Sequence, residues 1–342
     1  MKKRLLFWLM SYVTLLILLT MVSQVQATYT GGTPEADFSV DIYKPDKVCS
    51  GTTLLSDNHN LKQPRIIEVN MAGEVIWQYR IPMELRRYTN PGFDSERLPN
   101  NHILFVLPAK GVYEINREGK TVWSYLDVKI SHDADRLANG NTLIVFGNKD
   151  TKNDAQVKEI DAKGKMVWSW YAKQIFDKVP YNTINNQGWT HTNAAERLID
   201  GNTLISLRNF NQVIIISSQG KVLHTYGKDL VQNPHDPQRL PNGNILMAAH
   251  PLLAALEVDG KTGDMVWKFT NRQWGIPGQG ARDADRLPNG NTLITGTTKI
   301  IEVTKNGEIV WQFGLNQKFN SREEASAHGF YKAERISYPQ CN

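Results

Sequence analysis

NAAERLIDGNTLI (residues 193–205) and HDPQRLPNGNILM (235–247) are two copies of one unit, each with two short runs rich in apolar residues around a Gly-containing turn. The unit recurs as FDSERLPNNHILF (93–105), HDADRLANGNTLI (132–144) and RDADRLPNGNTLI (282–294). Between these copies runs a second unit of the same kind, for example VYEINREGKTVWSY (112–125), VKEIDAKGKMVWSW (157–170) and VIIISSQGKVLHTY (213–226). Self-similarity at roughly 40 to 60 residues marks a repeat architecture. Four strands per repeat, without helical periodicity, predict β-propeller blades.

The second unit occurs six times, whereas the first is complete only five times. Its missing halves stand at the two ends of the chain: Tyr331–Ile336 matches the inner strand, and Ser50–Leu55 matches the strand that follows it. The expected fold is therefore all-β, a six-bladed β-propeller with four-stranded blades, closed by pairing the C-terminal strand with the N-terminal blade. Cys49 and Cys341, the only two cysteines, flank this cut turn. A disulfide there would clasp the ring; two unpaired thiols are the other reading.

Residues 1–27 stand apart. Lys2, Lys3 and Arg4 precede an apolar run from Leu5 to Val22, and the segment ends Val25-Gln26-Ala27, a pattern suited to signal peptidase. The expectation is a signal peptide over 1–27, a lead-in over 28–42 and one propeller domain over 43–342, periplasmic or secreted, with no membrane span after cleavage. An uncleaved anchor is the alternative, since the run is long enough to span a bilayer. The formal charge of +5 falls to about +2 without the three leader cations, which does not suggest nucleic-acid binding.

Residues common to the blades are expected to be scaffold. Arg97, Arg136, Arg197, Arg239, Arg286 and Arg335 recur at one position, often after an acid such as Asp135, Glu196 or Asp285. An ion pair or inter-strand hydrogen bond on the inner strands accounts for them. Trp77, Trp123, Trp168, Trp267 and Trp311 fill one outer-strand slot, where His224 stands in blade four; that histidine is expected to pack.

Residues that break the repeat are the candidates for chemistry. Four positions before the repeat arginine, at the start of each inner strand, stand Phe93, His132, Asn193, His235, Arg282 and Tyr331. His191 lies two residues before Asn193, and the ends of the second strands in blades four and five carry Arg208 and His250. Strand starts and second-strand ends share one face of an up-and-down blade, so His132, His191, Arg208 and His235 should meet at one channel mouth, with His250 as a further candidate there. Histidine suits proton transfer or nucleophilic attack near neutral pH, and a forked guanidinium suits a tetrahedral oxyanion. The long connection Tyr171–Gly188, with Trp189, Trp274 and the GIPGQGAR segment (275–282) beside it, could stack an aromatic ring or plug the mouth.

At HDADRLANGN with His132, WTHTN followed by SLRNFNQVI with His191 and Arg208, and NPHDPQRL with His235, the sequence resembles the bacterial arylsulfate sulfotransferases. The resemblance implies a six-bladed propeller that moves a sulfuryl group from an aryl sulfate to a phenol without a nucleotide donor, cofactor or metal. It implies His235 as the sulfated nucleophile, Arg208 and His191 on the sulfuryl oxygens, and His132 as a further sulfuryl ligand or acid–base group. Trp189, Asn193 and His250 are candidate substrate contacts. Two other functions fit the pattern: a non-catalytic propeller that binds a ligand or protein, and a metal-dependent hydrolase drawing on Asp133 and Asp236. Local metal-ligand spacing is absent.

Overall fold

The computed structural model describes residues 28–249, 253–274, 280–317, 319, 321, 324–325, 328–338 and 341. Residues 1–27, where a signal peptide is expected, and His250 lie outside them, as does most of GIPGQGAR. Six antiparallel sheets form the blades of a propeller. Blade one combines the inner strand Phe330–Ser337 with Gly51–Asp57, Arg65–Val69 and Val75–Arg80. The inner strands of blades two to six are Asp94–Arg97, Ala134–Arg136, Thr192–Arg197, Pro234–Arg239 and Asp283–Arg286. Each is followed by three further strands in sequence order.

Local chemistry explains the hairpins. In each first turn the leucine N–H bonds the carbonyl four residues on, as in Leu137 to Asn141 (2.8 Å) and Leu287 to Asn291 (2.8 Å). The turn needs one left-handed residue, supplied by Gly140, Gly201, Gly243 and Gly290 with φ from +81° to +88°. Blade two has Asn101 there instead, at φ +70°, the non-glycine residue that best tolerates this region.

The ring closes as the repeat count requires. Phe330–Ser337 pairs antiparallel with Gly51–Asp57, in a register that sets Ala333 against Leu55 and Arg335 against Thr53. Cys49 and Cys341 form a disulfide across 292 residues of sequence. The lead-in does more than precede the ring: Thr28–Thr33 pairs with the outer strand of blade one and Phe38–Tyr43 with that of blade six, giving each a fifth strand. It therefore straps the seam that the disulfide also holds. Replacing Cys49 and Cys341 together with serine is expected to lower unfolding free energy by about 2–5 kcal/mol, as for other long-loop disulfides. Coincident denaturation curves for variant and parent would refute this.

The repeat tryptophans join neighbouring blades. Each indole N–H donates to a turn carbonyl of the next blade: Trp77 to Arg117, Trp123 to Ala162, Trp168 to Ser218, Trp267 to Lys305 and Trp311 to Met71, all within 2.8–3.2 Å. The repeat arginines also cross the seam. Arg136, Arg197, Arg286 and Arg335 pair at 2.8–3.0 Å with Glu114, Glu159, Glu257 and Glu302 on the third strand of the preceding blade. They lie over that blade's tryptophan as well, 4.5–5.4 Å from the ring centroid.

Blade four lacks both partners, having Ile215 in the glutamate slot and His224 in the tryptophan slot. Arg239 turns instead to Asp200 at 2.9 Å, and the Tyr226 hydroxyl reaches the Gly260 carbonyl at 2.8 Å. His224 is exposed on the outer strand, stacked beside Tyr226, rather than packed inside. The arginine and the acid before it do not pair with each other, because successive side chains of a strand leave by opposite faces. The arginine enters the seam and the acid enters the channel.

Candidate active site

A regular strand would send only alternate residues into the channel, and the mouth departs from that rule through local irregularities. In blades four, five and one the inner-strand register shifts between Thr192 and Ala195, His235 and Gln238, and Phe330 and Ala333. Asp236 lies at φ +38°. Such bulges re-aim neighbouring side chains, so His235 and Asp236 both line the channel, as do Tyr331 and Lys332. Blade two has no shift in its paired residues, and Phe93 at the equivalent position is fully buried in the core.

The mouth holds a cavity of about 200 Å³ lined by Pro91, His132, Gln187, His191, Asn193, Arg208, Asn233, His235, Arg282 and Tyr331. The structure thus brings His132, His191, Arg208, His235 and Asn193 together. Their rings form a row: His191 to His132 at 6.0 Å, His132 to Tyr331 at 4.9 Å, and Tyr331 edge-on to His235 at 6.4 Å. The Arg282 guanidinium stands 5.0 Å over Tyr331. Gly92 runs so close to the Tyr331 ring that a Cβ would lie 2.3 Å from it, so only glycine fits.

Asp150, buried on the connection inside blade three, holds His191 in place. Its carboxylate accepts the Thr190 N–H (3.1 Å), the Thr190 hydroxyl (2.8 Å) and the His191 N–H (3.0 Å). These bonds stabilise His191 at φ +46°, an uncommon conformation for a residue with a side chain. Its Nδ1 lies 3.3 Å from the Gln187 carbonyl, which requires an Nδ1–H donor. Burial and the nearby Arg208 push the His191 pKa down to about 4. Burial, His191, Arg282 and Arg208 hold His132 well below the usual histidine range, and its buried Nδ1 has no hydrogen-bond partner among the described residues. Both rings are neutral at pH 7, each with a nitrogen lone pair.

The other expected contacts fall differently. The Asn193 side-chain nitrogen is 3.2 Å from both ring nitrogens of His235, so Asn193 abuts the histidine itself. Trp189 does not line the cavity: it is 3% exposed, packs edge-on to Phe210 at 5.4 Å and donates to the Tyr181 carbonyl at 2.8 Å. Trp274 is likewise in the core. From the long connection it is Gln187 that reaches the cavity.

Below the mouth lies a larger chamber of about 320 Å³, lined by Asp94, Glu96, Asp133, Asp135, Glu196, Asp236, Asp283, Asp285 and Glu334 around Lys332. The Lys332 ammonium lies 2.7 Å from Asp133, 3.1 Å from Asp236 and 3.4 Å from Asp94. Burial opposes its charge, but Asp133, Asp236, Asp94 and Asp283 outweigh this and raise its pKa. Burial and mutual repulsion push Asp94 up to about 7 and Glu96 and Asp285 up to about 8. Several acids also staple adjacent inner strands: Asp133 accepts the Ala195 N–H, Glu196 that of Arg239, and Glu334 that of Arg97. The signal for this chamber was in the repeat, where Asp94, Asp133, Asp236 and Asp283 recur and Lys332 breaks the pattern.

Among the described residues, no group of three or more His, Cys, Asp or Glu is arranged to hold a metal ion. No curated protein matches the chain significantly. A solved protein of unknown function from Bacteroides caccae is similar at 17% identity and TM-score 0.58, over 83% of this chain and 98% of that one. Virginiamycin B lyase from Staphylococcus aureus is similar at 12% identity and TM-score 0.52, over 88% of this chain and 100% of that one. A gluconolactonase from Xanthomonas campestris is similar at 9% identity and TM-score 0.52, over 85% and 90%. These likenesses show the propeller fold alone. The family model described as Arylsulfotransferase (ASST) matches residues 40–233, a span that contains His132, His191 and Arg208 and ends two residues before His235. That match takes in more than half of the sequence and the greater part of the mouth, and it places the chain in the arylsulfotransferase family.

Proposed function

We propose that this protein transfers a sulfuryl group from an aryl sulfate to a phenol through a sulfated His235, without a nucleotide donor, after export from the cytoplasm. The observation that carries the reading is the cavity itself, which gathers three histidines, two of them neutral, with Arg208 and, among the described residues, no carboxylate. In the first half-reaction a ring nitrogen of His235 attacks sulfur. The N–S bond forms as the aryl S–O bond breaks, and its electron pair leaves on the phenol oxygen, which takes up the proton that the other ring nitrogen of His235 releases on sulfation. Arg208 binds the sulfuryl oxygens and stabilises the charge that spreads over them in the transition state. His191 gains basicity as the anion enters and can then donate to it. In the second half-reaction an acceptor phenol gives its proton to neutral His132, its oxygen displaces the His235 nitrogen from sulfur, and the proton passes from His132 to the freed His235 imidazole, which restores both neutral rings. The leader pattern and the Cys49–Cys341 disulfide support an oxidising compartment.

The test is to incubate the purified protein with a chromogenic aryl sulfate, with no added nucleotide, with and without phenol and with and without a chelator. Acceptor-dependent turnover insensitive to chelation is expected, with one sulfuryl group on the His235 peptide after a donor-only quench. Absence of acceptor-dependent release would leave a non-catalytic anion-binding propeller as the better reading. Loss of activity on chelation would favour a metal-dependent hydrolase.

A further inference from the structure

Residues 186–191 bring Gln187 and His191 to the mouth on a backbone that is left-handed at both, at φ +59° and +46°. Two side chains take up the peptide groups of this segment, one for each end of the peptide dipole. Asp150 accepts the N–H groups of Thr190 and His191. Asn209, half-buried in the short turn Arg208–Phe210, donates from its side-chain nitrogen to the carbonyls of Asn186 (3.0 Å), Gly188 (2.9 Å) and Trp189 (3.3 Å). Its backbone N–H donates to the Thr190 carbonyl at 3.0 Å. The other end of the same amide, Oδ1, accepts from the Arg208 guanidinium at 3.1 Å. Three carbonyls at one end and a guanidinium at the other fix which amide atom is nitrogen. Asparagine serves both kinds of partner, whereas aspartate, of the same shape, offers only acceptors when ionised.

We propose that Asn209 is a positioning residue of the sulfuryl site: it clamps the Arg208 guanidinium to the segment that presents His191, so that arginine and histidine meet the oxygens of the same sulfuryl group. The inference rests on the sulfotransferase reading for the identity of the anion. Arginine loses much rotamer freedom when it is held in one geometry, and a partner that holds it beforehand removes that cost from the binding step. The chemistry of the partner matters. A neutral amide oxygen orients the guanidinium and leaves its positive charge for the anion. A carboxylate in the same place would orient it equally well but would pair with it and compete with the sulfuryl oxygens. Asn209 and Asp150 are thus not interchangeable: carbonyls and a cation that must keep its charge call for an amide, and N–H groups call for a carboxylate.

The test compares Asn209→Ala with the isosteric Asn209→Asp, reading calorimetric affinity for benzenesulfonate, which cannot transfer a sulfuryl group. Loss of the clamp in Asn209→Ala should weaken binding about tenfold. Asn209→Asp should weaken it further, about a hundredfold, because its carboxylate competes for Arg208 and repels the three carbonyls. A side chain that only filled space would give the opposite order, since aspartate matches asparagine in volume and alanine leaves a void. That order overturns the proposal, as does parental affinity in Asn209→Ala. Thermal transitions show that binding is read on folded protein, and if Asn209→Asp does not fold, Asn209→Ala decides alone. A double-mutant cycle on kcat/KM for phenyl sulfate gives a second reading. Asn209→Ala should cost about tenfold in the parent but less than about threefold in an Arg208→Met background, because its effect runs through the arginine. Equal losses in the two backgrounds overturn the proposal. A parent that turns over no ester would sink the sulfotransferase reading, and the order of sulfonate affinities would still decide the clamp.

Discussion

Replacing His235 with alanine is expected to lower kcat for aryl-sulfate turnover by about a thousandfold or more, the loss that follows when a covalent nucleophile is removed. The burst of released phenol and the sulfated peptide should vanish with it. Donor affinity should change far less, because Arg208 and His191 still face the cavity from blade four. His235 is half-buried at the channel end of the strand Pro234–Arg239, so its truncation leaves the blade hydrogen bonds in place. A thermal transition close to that of the parent would confirm that the fold survives. His132→Gln should cost less, about a hundredfold, the lower end of the range for a general acid–base group. A sulfuryl adduct persisting in His235→Ala, on His132 or His191, would show that the nucleophile is misassigned.

Lys332→Met should produce the largest loss of stability at a single position, and one that depends on pH. The substitution keeps the length and apolar body of the side chain but leaves Asp94, Asp133 and Asp236 without their shared cation. Breaking one side of a buried charge cluster costs about 3–5 kcal/mol. The direction with pH follows from the acids. The folded-state pKa of Asp94 is raised to about 7 and that of Asp285 to about 8. Their contribution to stability is therefore complete below the unfolded carboxylate range near pH 4 and is lost as pH rises through 7 to 8. Lys332 attracts negative charge and holds these values down, so its removal raises them further and steepens the decline. Parent and variant should lie close together at pH 5 and diverge towards pH 8. Denaturant titration at both values reads this directly, and a gap that does not widen with pH would refute the electrostatic account.

The blades could be read from the sequence because their causes are local. A period of two along each strand, an Asn-Gly step in most of the first turns and a recurring arginine and tryptophan depend on near neighbours in the chain. The phase of the repeat also showed which positions open on the mouth, which is why His132, His191, Arg208 and His235 could be selected although they lie on three blades. Asn193 was placed in the same way, whereas Trp189 was not. A left-handed His191 held by Asp150 reverses the alternation that would have guided Trp189, and Asp150 sits 41 residues from His191 in sequence. The pairing of each arginine with the preceding blade was hidden for a related reason. Its neighbour in sequence is an acid, but strand geometry sends the two to opposite faces.

By itself the sequence determined the number of blades, the seam where the ring closes, the pair of cysteines at that seam and the residues that depart from the repeat. Each follows from self-comparison, and none needs a distance. The tertiary structure decided what those departures make together. It set Tyr331 and Arg282 against the histidines, turned Trp189 into the core, aligned the Asn193 amide with His235 and gathered the channel acids on Lys332. The physical reason is that these contacts join inner strands from different blades, brought within hydrogen-bond and stacking distance only when the ring closes, and aimed by bulges that the repeat pattern does not encode.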